Sequence, residues 1–231
     1  MFSHKILKPM KNFQIFLSAI IIFLFSCTTK NSEAPIVVEL IDMDYRFSTD
    51  KLLKFCSDNQ IDKNSVYQWQ NHWIIYSGSK EISELVSKIE NQFPRLKVNV
   101  YKKPFYNFNR EKLTGEKSAK EWTQIIMTAN LAQDTILQNE YMEYHRTQFE
   151  KWPEISKGFS NADFQQLLVY RNGRQLMLVI SIPKGKTLDE LNPKTSENNP
   201  RVDEWNKIMA KYQEGIEDAP KGTTWVEFTA P

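Results

Sequence analysis

The strongest constraint on this chain is a hydrophobic pattern that changes period in the same order twice. Residues 36–106 open with the β-rich run Ile36-Val37-Val38-Glu39-Leu40, followed by a helical stretch at 48–59 with Leu52, Leu53 and Phe55 on one stripe. Alternating aromatics at 66–76, broken at Gln70-Asn71, predict two strands and a tight turn. An amphipathic helix follows at 79–93 through Ile82, Leu85, Val86 and Ile89. A last strand at 96–101 carries Leu96, Val98 and Val100 on one face. The order is β-α-β-β-α-β.

The same order returns in the second half. Residues 122–128 form a strand, and Asp134 caps a helix running to about residue 151. Strands at 164–171 and 175–182 are joined at Asn172-Gly173, a strong short-range hairpin signal. Asn199-Pro200 opens a helix whose apolar stripe is Val202, Trp205, Met209, Tyr212 and Ile216, and 225–228 closes as a strand. The fold class expected is α+β: two ferredoxin-like βαββαβ plaits in tandem, at 36–106 and 121–231, with the polar stretch 107–120 as linker. The polar loop 183–199 is long enough to be a lid or a solvated connection.

The amino terminus has the build of a secretory signal. Lys5, Lys8 and Lys11 precede an apolar run from Phe13 to Phe25, shorter than the ~20 residues a spanning helix needs. It ends in Leu24-Phe25-Ser26-Cys27, which is similar to a bacterial lipobox. The expectation is a signal at 1–26, a lipid on Cys27 and a polar tether at 27–35, so that the protein is held on the outer side of a membrane. A plain membrane anchor is the alternative. The chain's net charge is +2, and without those three lysines the remainder carries −1, which gives no basis for nucleic-acid binding. With Cys27 acylated, Cys56 has no partner and reads as a small buried residue. No CxxC or HExxH occurs, so no metal site and no cofactor are expected.

One histidine attracts the chemistry. Helical spacing puts Leu137, Tyr141, His145 and Phe149 on one stripe, with Trp152-Pro153-Glu154 just beyond, and Pro153 ends or kinks the helix. Two polar tips in an apolar stripe need partners, which a bound polar ligand can supply. Histidine can both take and give a proton near neutrality, which makes His145 a candidate acid–base group. A core or rim histidine would show the same spacing. His72, in Trp69-Gln-Asn-His72-Trp73, reads as structural, and Trp152 and Trp225 as packing.

Tyr141-x-x-x-His145, Trp152-Pro153-Glu154, Tyr170, Trp205 and the strand at Trp225 occur in the order found in L-rhamnose mutarotases, and residues 121–230 resemble that family. The resemblance implies His145 as proton donor, with Tyr141, Trp205 and Asn206 at sugar-contacting positions. Leu167 stands where some members have a tyrosine, and Ser181 where an acidic residue is common. It implies a mutarotase acting on a deoxyhexose such as L-rhamnose or L-fucose. A non-catalytic sugar-binding lipoprotein and another small-ligand use of the same barrel stay open. Since the family pairs its plaits sheet to sheet in a dimer, the first half either takes the second subunit's place, giving a monomer with an intrachain dimeric α/β barrel, or docks elsewhere.

Overall fold

The computed structural model describes residues 34–231, with side chains described at all of these except 79–83. The expected signal and Cys27 lie outside the described residues. Among the described residues, no helix is long and apolar enough to cross a membrane.

The first half runs β1 (Ile36–Ile41), α1 (Thr49–Asp58), β2 (Val66–Trp69), β3 (His72–Ser77), α2 (Ser79–Gln92) and β4 (Lys97–Tyr101). Its strands form an antiparallel sheet in the order β2-β3-β1-β4. Every residue of β1 is buried, because the sheet is covered on both faces. Alternate residues therefore enter different cores. Ile36, Val38 and Leu40 pack under the helices with Leu52, Phe55, Cys56, Trp73 and Ile89, whereas Val37 faces the other way. Cys56 is a free, buried thiol whose pKa burial pushes up to about 11, which keeps it protonated and inert.

The second half contains β5 (Tyr106–Asn109), α3 (Arg110–Thr114), β6 (Trp122–Leu131), α4 (Thr135–Lys151), α5 (Pro153–Asn161), β7 (Gln166–Asn172), β8 (Gln175–Pro183), α6 (Leu188–Leu191), α7 (Pro200–Met209), β9 (Gln213–Glu214) and β10 (Val226–Phe228). The antiparallel order is β10-β6-β8-β7-β5, with β9 also on β6. The Asp134 carboxylate caps α4 by accepting from the Ile136 amide at 2.7 Å. Trp152 leaves helical geometry immediately before Pro153, which starts α5. Gly173, at φ +59°, and Arg174 make the two-residue hairpin loop, one position later than the Asn172-Gly173 dipeptide indicated.

Three expectations need correction. The linker at 107–120 begins as strand: Tyr106 and Phe108 point inward, Phe108 is fully buried, and β5 extends the second sheet along β7. The last helix stops at Met209. Tyr212 and Ile216 are buried as expected, but beyond the helix, where the Ala132 amide donates to the Tyr212 carbonyl at 2.7 Å and β9 joins β6. The stretch 183–199 is folded down rather than a free loop. A capping box at Thr187 and Glu190 starts α6, Leu191 is fully buried, and Gly158 of α5 lies so close to the Thr195 carbonyl that a Cβ would sit 2.4 Å from it.

Residues 34–231 lie within one compact unit. The two sheets face each other: Val37, Ile74 and Tyr101 from the first share a core with Ile126, Leu168, Tyr170, Met177, Val179 and Phe228 from the second. A main-chain pair between Gln68 and Thr229, at 2.7 and 3.0 Å, joins sheet edges. Polar groups cross the same interface. Glu39 is fully buried yet ionised. Burial would raise its pKa, but hydrogen bonds from His72, Asn99 and Gln175 hold it below the usual range. Tyr101 donates to it at 3.1 Å, and Gln175 reaches it from the second sheet at 3.0 Å. His72 is thus structural, as its sequence context indicated.

Candidate active site

In the second half the face of the sheet away from the first half lies under α4, α5 and α7. A hollow of about 390 Å³ opens there, bounded by Tyr106, Tyr141, His145, Leu167, Trp205 and Trp225 among others. That volume lies in the range of small-molecule sites. A larger hollow of about 560 Å³ on the first half is lined largely by charged side chains such as Asp44, Arg46, Lys51 and Arg95, with no histidine among them.

The buried face of α4 is more polar than expected. Its central stripe is Gln138, Tyr141, His145 and Gln148, while Phe149 is 37% exposed. Tyr141 and His145 come together as the helical spacing required, with ring centroids 4.2 Å apart. His145 Nδ1 lies 3.0 Å from the Tyr141 carbonyl. A carbonyl only accepts, so Nδ1 carries the proton and the lone pair is on Nε2. Among the described residues nothing bonds Nε2. Burial lowers the His145 pKa to about 4, opposed only by the hydrogen bond to that carbonyl, so the imidazole is neutral at pH 7 and acts first as a base.

The Tyr141 hydroxyl, pushed above its ordinary pKa by burial, is a hydrogen-bond donor and not an acid at neutral pH. Trp205 sets a ring 5.4 Å from His145, edge to face, and packs on Trp152, over which the Arg201 guanidinium lies at 3.7 Å. Asn206, one residue on, is exposed and borders the hollow. Leu167 lines it as well. Tyr170, three residues later, points between the sheets and donates to the Pro35 carbonyl at 2.7 Å, so it does not stand in for Leu167. Ser181 lies on the same strand as Ile180 and Ile182 but alternates away from them, opposite the pocket face. It is not a pocket residue.

Sequence reasoning missed Phe105 and Tyr106. Both rings lie edge-on to His145, at 5.7 and 5.3 Å, and Phe149 stacks on the far side of Tyr106. Tyr106 donates to Gln148 at 2.6 Å, and Gln148 donates to the Trp152 carbonyl at 2.6 Å, fixing the wall to the end of α4. The available signal was the period-2 alternation of Tyr106 and Phe108. Replacing Tyr106 with alanine is expected to admit water beside the imidazole. The His145 pKa then moves from about 4 toward its ordinary value of 6.5, readable by NMR titration of the ring protons. An unmoved titration would show that Tyr106 does not keep the site dry.

A family match falls on this half of the chain. Residues 124–230 match the L-rhamnose mutarotase family. Over 99 residues the chain is 25% identical to the L-fucose mutarotase of Xanthomonas campestris pv. campestris, covering 42% of this chain and 77% of that one. Among solved structures, a heme-degrading enzyme from Listeria monocytogenes matches across 85% of this chain and 99% of its own. Identity there is 12% and the TM-score 0.40. The mutarotase match takes in α4, β7, β8 and α7 and begins after β5, so Phe105 and Tyr106 lie outside it.

Proposed function

We propose that this chain is a mutarotase-like enzyme interconverting the anomers of a deoxyhexose such as L-rhamnose or L-fucose. The observation that carries the reading is the tautomer of His145, with Nδ1 committed to the Tyr141 carbonyl and Nε2 left as a base inside an aromatic hollow. Nε2 takes the proton of the anomeric hydroxyl as the bond from the anomeric carbon to the ring oxygen breaks, giving the open aldehyde. The imidazolium returns that proton to the former ring oxygen. Rotation about the bond next to the aldehyde and the reverse steps close the ring on the other face. One proton moves, nothing is oxidised, and no cofactor enters the balance. Tyr141 donates a hydrogen bond to a sugar oxygen without losing its proton, and Trp205, Leu167 and Asn206 shape the hollow around the ring.

The test is saturation-transfer NMR on L-fucose and L-rhamnose with native protein and His145→Ala. Faster anomer exchange with native protein alone supports the reading. A second reading, sugar binding without turnover, is favoured by one observation: among the described residues lining the hollow there is no carboxylate to share the proton work. Saturable binding with no acceleration by native protein selects it.

Two further parts belong to this proposal. The halves act as an intrachain dimeric α/β barrel built from two ferredoxin-like plaits, supported by the strand orders and by the apolar core the two sheets share. The chain is also a lipoprotein, acylated at Cys27 and held outside the cytoplasm, supported by the basic start, the short apolar run and Leu24-Phe25-Ser26-Cys27. Metabolic labelling with a palmitate analogue is expected to mark the native chain and not Cys27→Ser. Equal labelling of both would refute the anchor.

A further inference from the structure

Gln213 is the sole residue of β9 to touch the site, and sugar-binding patterns gave no reason to notice it. Its backbone is held opposite Leu131 by the pairing of β9 with β6. Its side-chain oxygen lies 3.2 Å from the Trp225 indole nitrogen, and its side-chain nitrogen lies 3.3 Å from the Tyr141 hydroxyl oxygen. These two contacts have a definite sense. An indole N–H only donates, so the group facing Trp225 is the amide oxygen. The amide nitrogen, which also only donates, is thereby turned toward Tyr141. The Tyr141 oxygen must accept, and its own proton cannot go back to Gln213. Tyr141 is 1% exposed, and among the described residues no acceptor takes that proton, so it points to the hollow that the ring borders.

We propose that Gln213 is a positioning residue: with Trp225 fixing its amide, it aims the Tyr141 hydroxyl proton at an oxygen of the bound sugar. This rests on the sugar-pocket reading above and deepens it. The consequence is a site with one donor and one acceptor of fixed sense. Tyr141 offers a proton and His145 Nε2 offers a lone pair. A pyranose ring oxygen has no proton and can only accept, whereas the anomeric hydroxyl can donate. The pair therefore distinguishes the two oxygens bonded to the anomeric carbon and sets the ring in one orientation. A donor already aimed need not be reoriented as charge develops on the ring oxygen during opening.

The informative variant is Gln213→Glu. At neutral pH the new carboxylate accepts from both Trp225 and Tyr141, which turns the tyrosine proton away from the sugar. Exchange of L-fucose, followed by saturation transfer on the whole chain, is expected to fall about tenfold or more. On acidification the new carboxyl gains a proton and can donate to Tyr141. The rate then recovers over a range above about pH 4, where His145 is still the free base and native protein shows no rise. Gln213→Leu, with no titratable group, is expected to lose rate without recovery. A residue that merely supported the fold would lower the rate without introducing such a pH dependence.

Native rate, native affinity and a flat profile in Gln213→Glu would overturn the inference while leaving the mutarotase reading intact. If native protein binds L-fucose but does not speed its exchange, the mutarotase reading falls. The same loss and acid recovery, read in the dissociation constant, then decides the role of Gln213. Absence of both binding and exchange overturns the two together. Should Gln213→Glu fail to fold, Trp225→Phe frees the amide to flip. A loss of exchange that leaves circular dichroism native supports the inference, and unchanged exchange refutes it.

Discussion

His145→Ala is expected to reduce anomer exchange of L-fucose by about a hundred- to ten-thousand-fold, the range a positioned acid–base group contributes. The size follows from the make-up of the hollow. Tyr141 is held protonated by burial, Asn206 and Gln213 are amides, and Trp205 and Leu167 carry no transferable proton at neutral pH. His145 is therefore the one described lining residue whose proton affinity lets it act as a base. Sugar affinity should change far less, since the aromatic walls remain. The pH profile gives an independent mark. With the imidazole pKa near 4, native exchange should hold through neutrality and fall as the pH drops through about 4. The same shift acts on folding. The unfolded chain binds this proton below about 6.5 and the folded chain only below about 4, so neutral His145 contributes stability that is full above 6.5. It is lost as the pH falls toward 4, by roughly 3 kcal/mol in all. Urea unfolding of native protein and His145→Ala at pH 7.5 and pH 4 should show the difference between them shrinking, or reversing, in acid. A constant difference would mean that the imidazole is not held neutral by burial.

Much of this site was readable because helix and strand periods are local properties. Tyr141 and His145 share a face on spacing alone, and Leu167 and Tyr170 must part because a strand alternates. The flanks of the α4 stripe were misread for a reason equally physical. Leu137 and Phe149 are apolar and one position away from Gln138 and Gln148, so hydrophobicity pointed to the wrong neighbours. Gln148 is fully buried because Tyr106 and the Trp152 carbonyl satisfy its amide, and neither partner can be deduced from the helix itself. The strand β5 was hidden in the same way. An edge strand shows polar residues outward, and Asn107 and Asn109 hid the inward Tyr106 and Phe108. Gln213 had no local signal at all. Its role comes from three segments, near residues 141, 213 and 225, that meet only in the folded chain.

His72→Ala is expected to destabilise the protein by about 2–3 kcal/mol, the cost of taking a hydrogen-bond donor from a buried carboxylate. His72 and Glu39 are 5% and 0% exposed, and their side chains meet at 2.9 Å. Deleting the imidazole leaves the buried carboxylate with Asn99, Tyr101 and Gln175 but one donor short. Glu39→Gln removes the charge but should also destabilise, because an amide offers one accepting oxygen where the carboxylate offers two, and its NH2 would face donors. The position of the pair decides what unfolds. Glu39 lies on β1 and Gln175 on β8, so the network spans the interface between the two sheets, beside the apolar core they share. Loss of His72 should lower the urea midpoint of both halves together in a single transition, with the slope unchanged. Its effect should narrow as the pH falls, since the depressed pKa of Glu39 contributes stability above the usual carboxylate range and loses it in acid. Two separate transitions, with only the first half shifted, would mean that the halves fold independently and would remove the ground for treating them as an intrachain dimer. A shift below about 1 kcal/mol would place the pair among ordinary surface contacts and leave Glu39 without a reason to be buried.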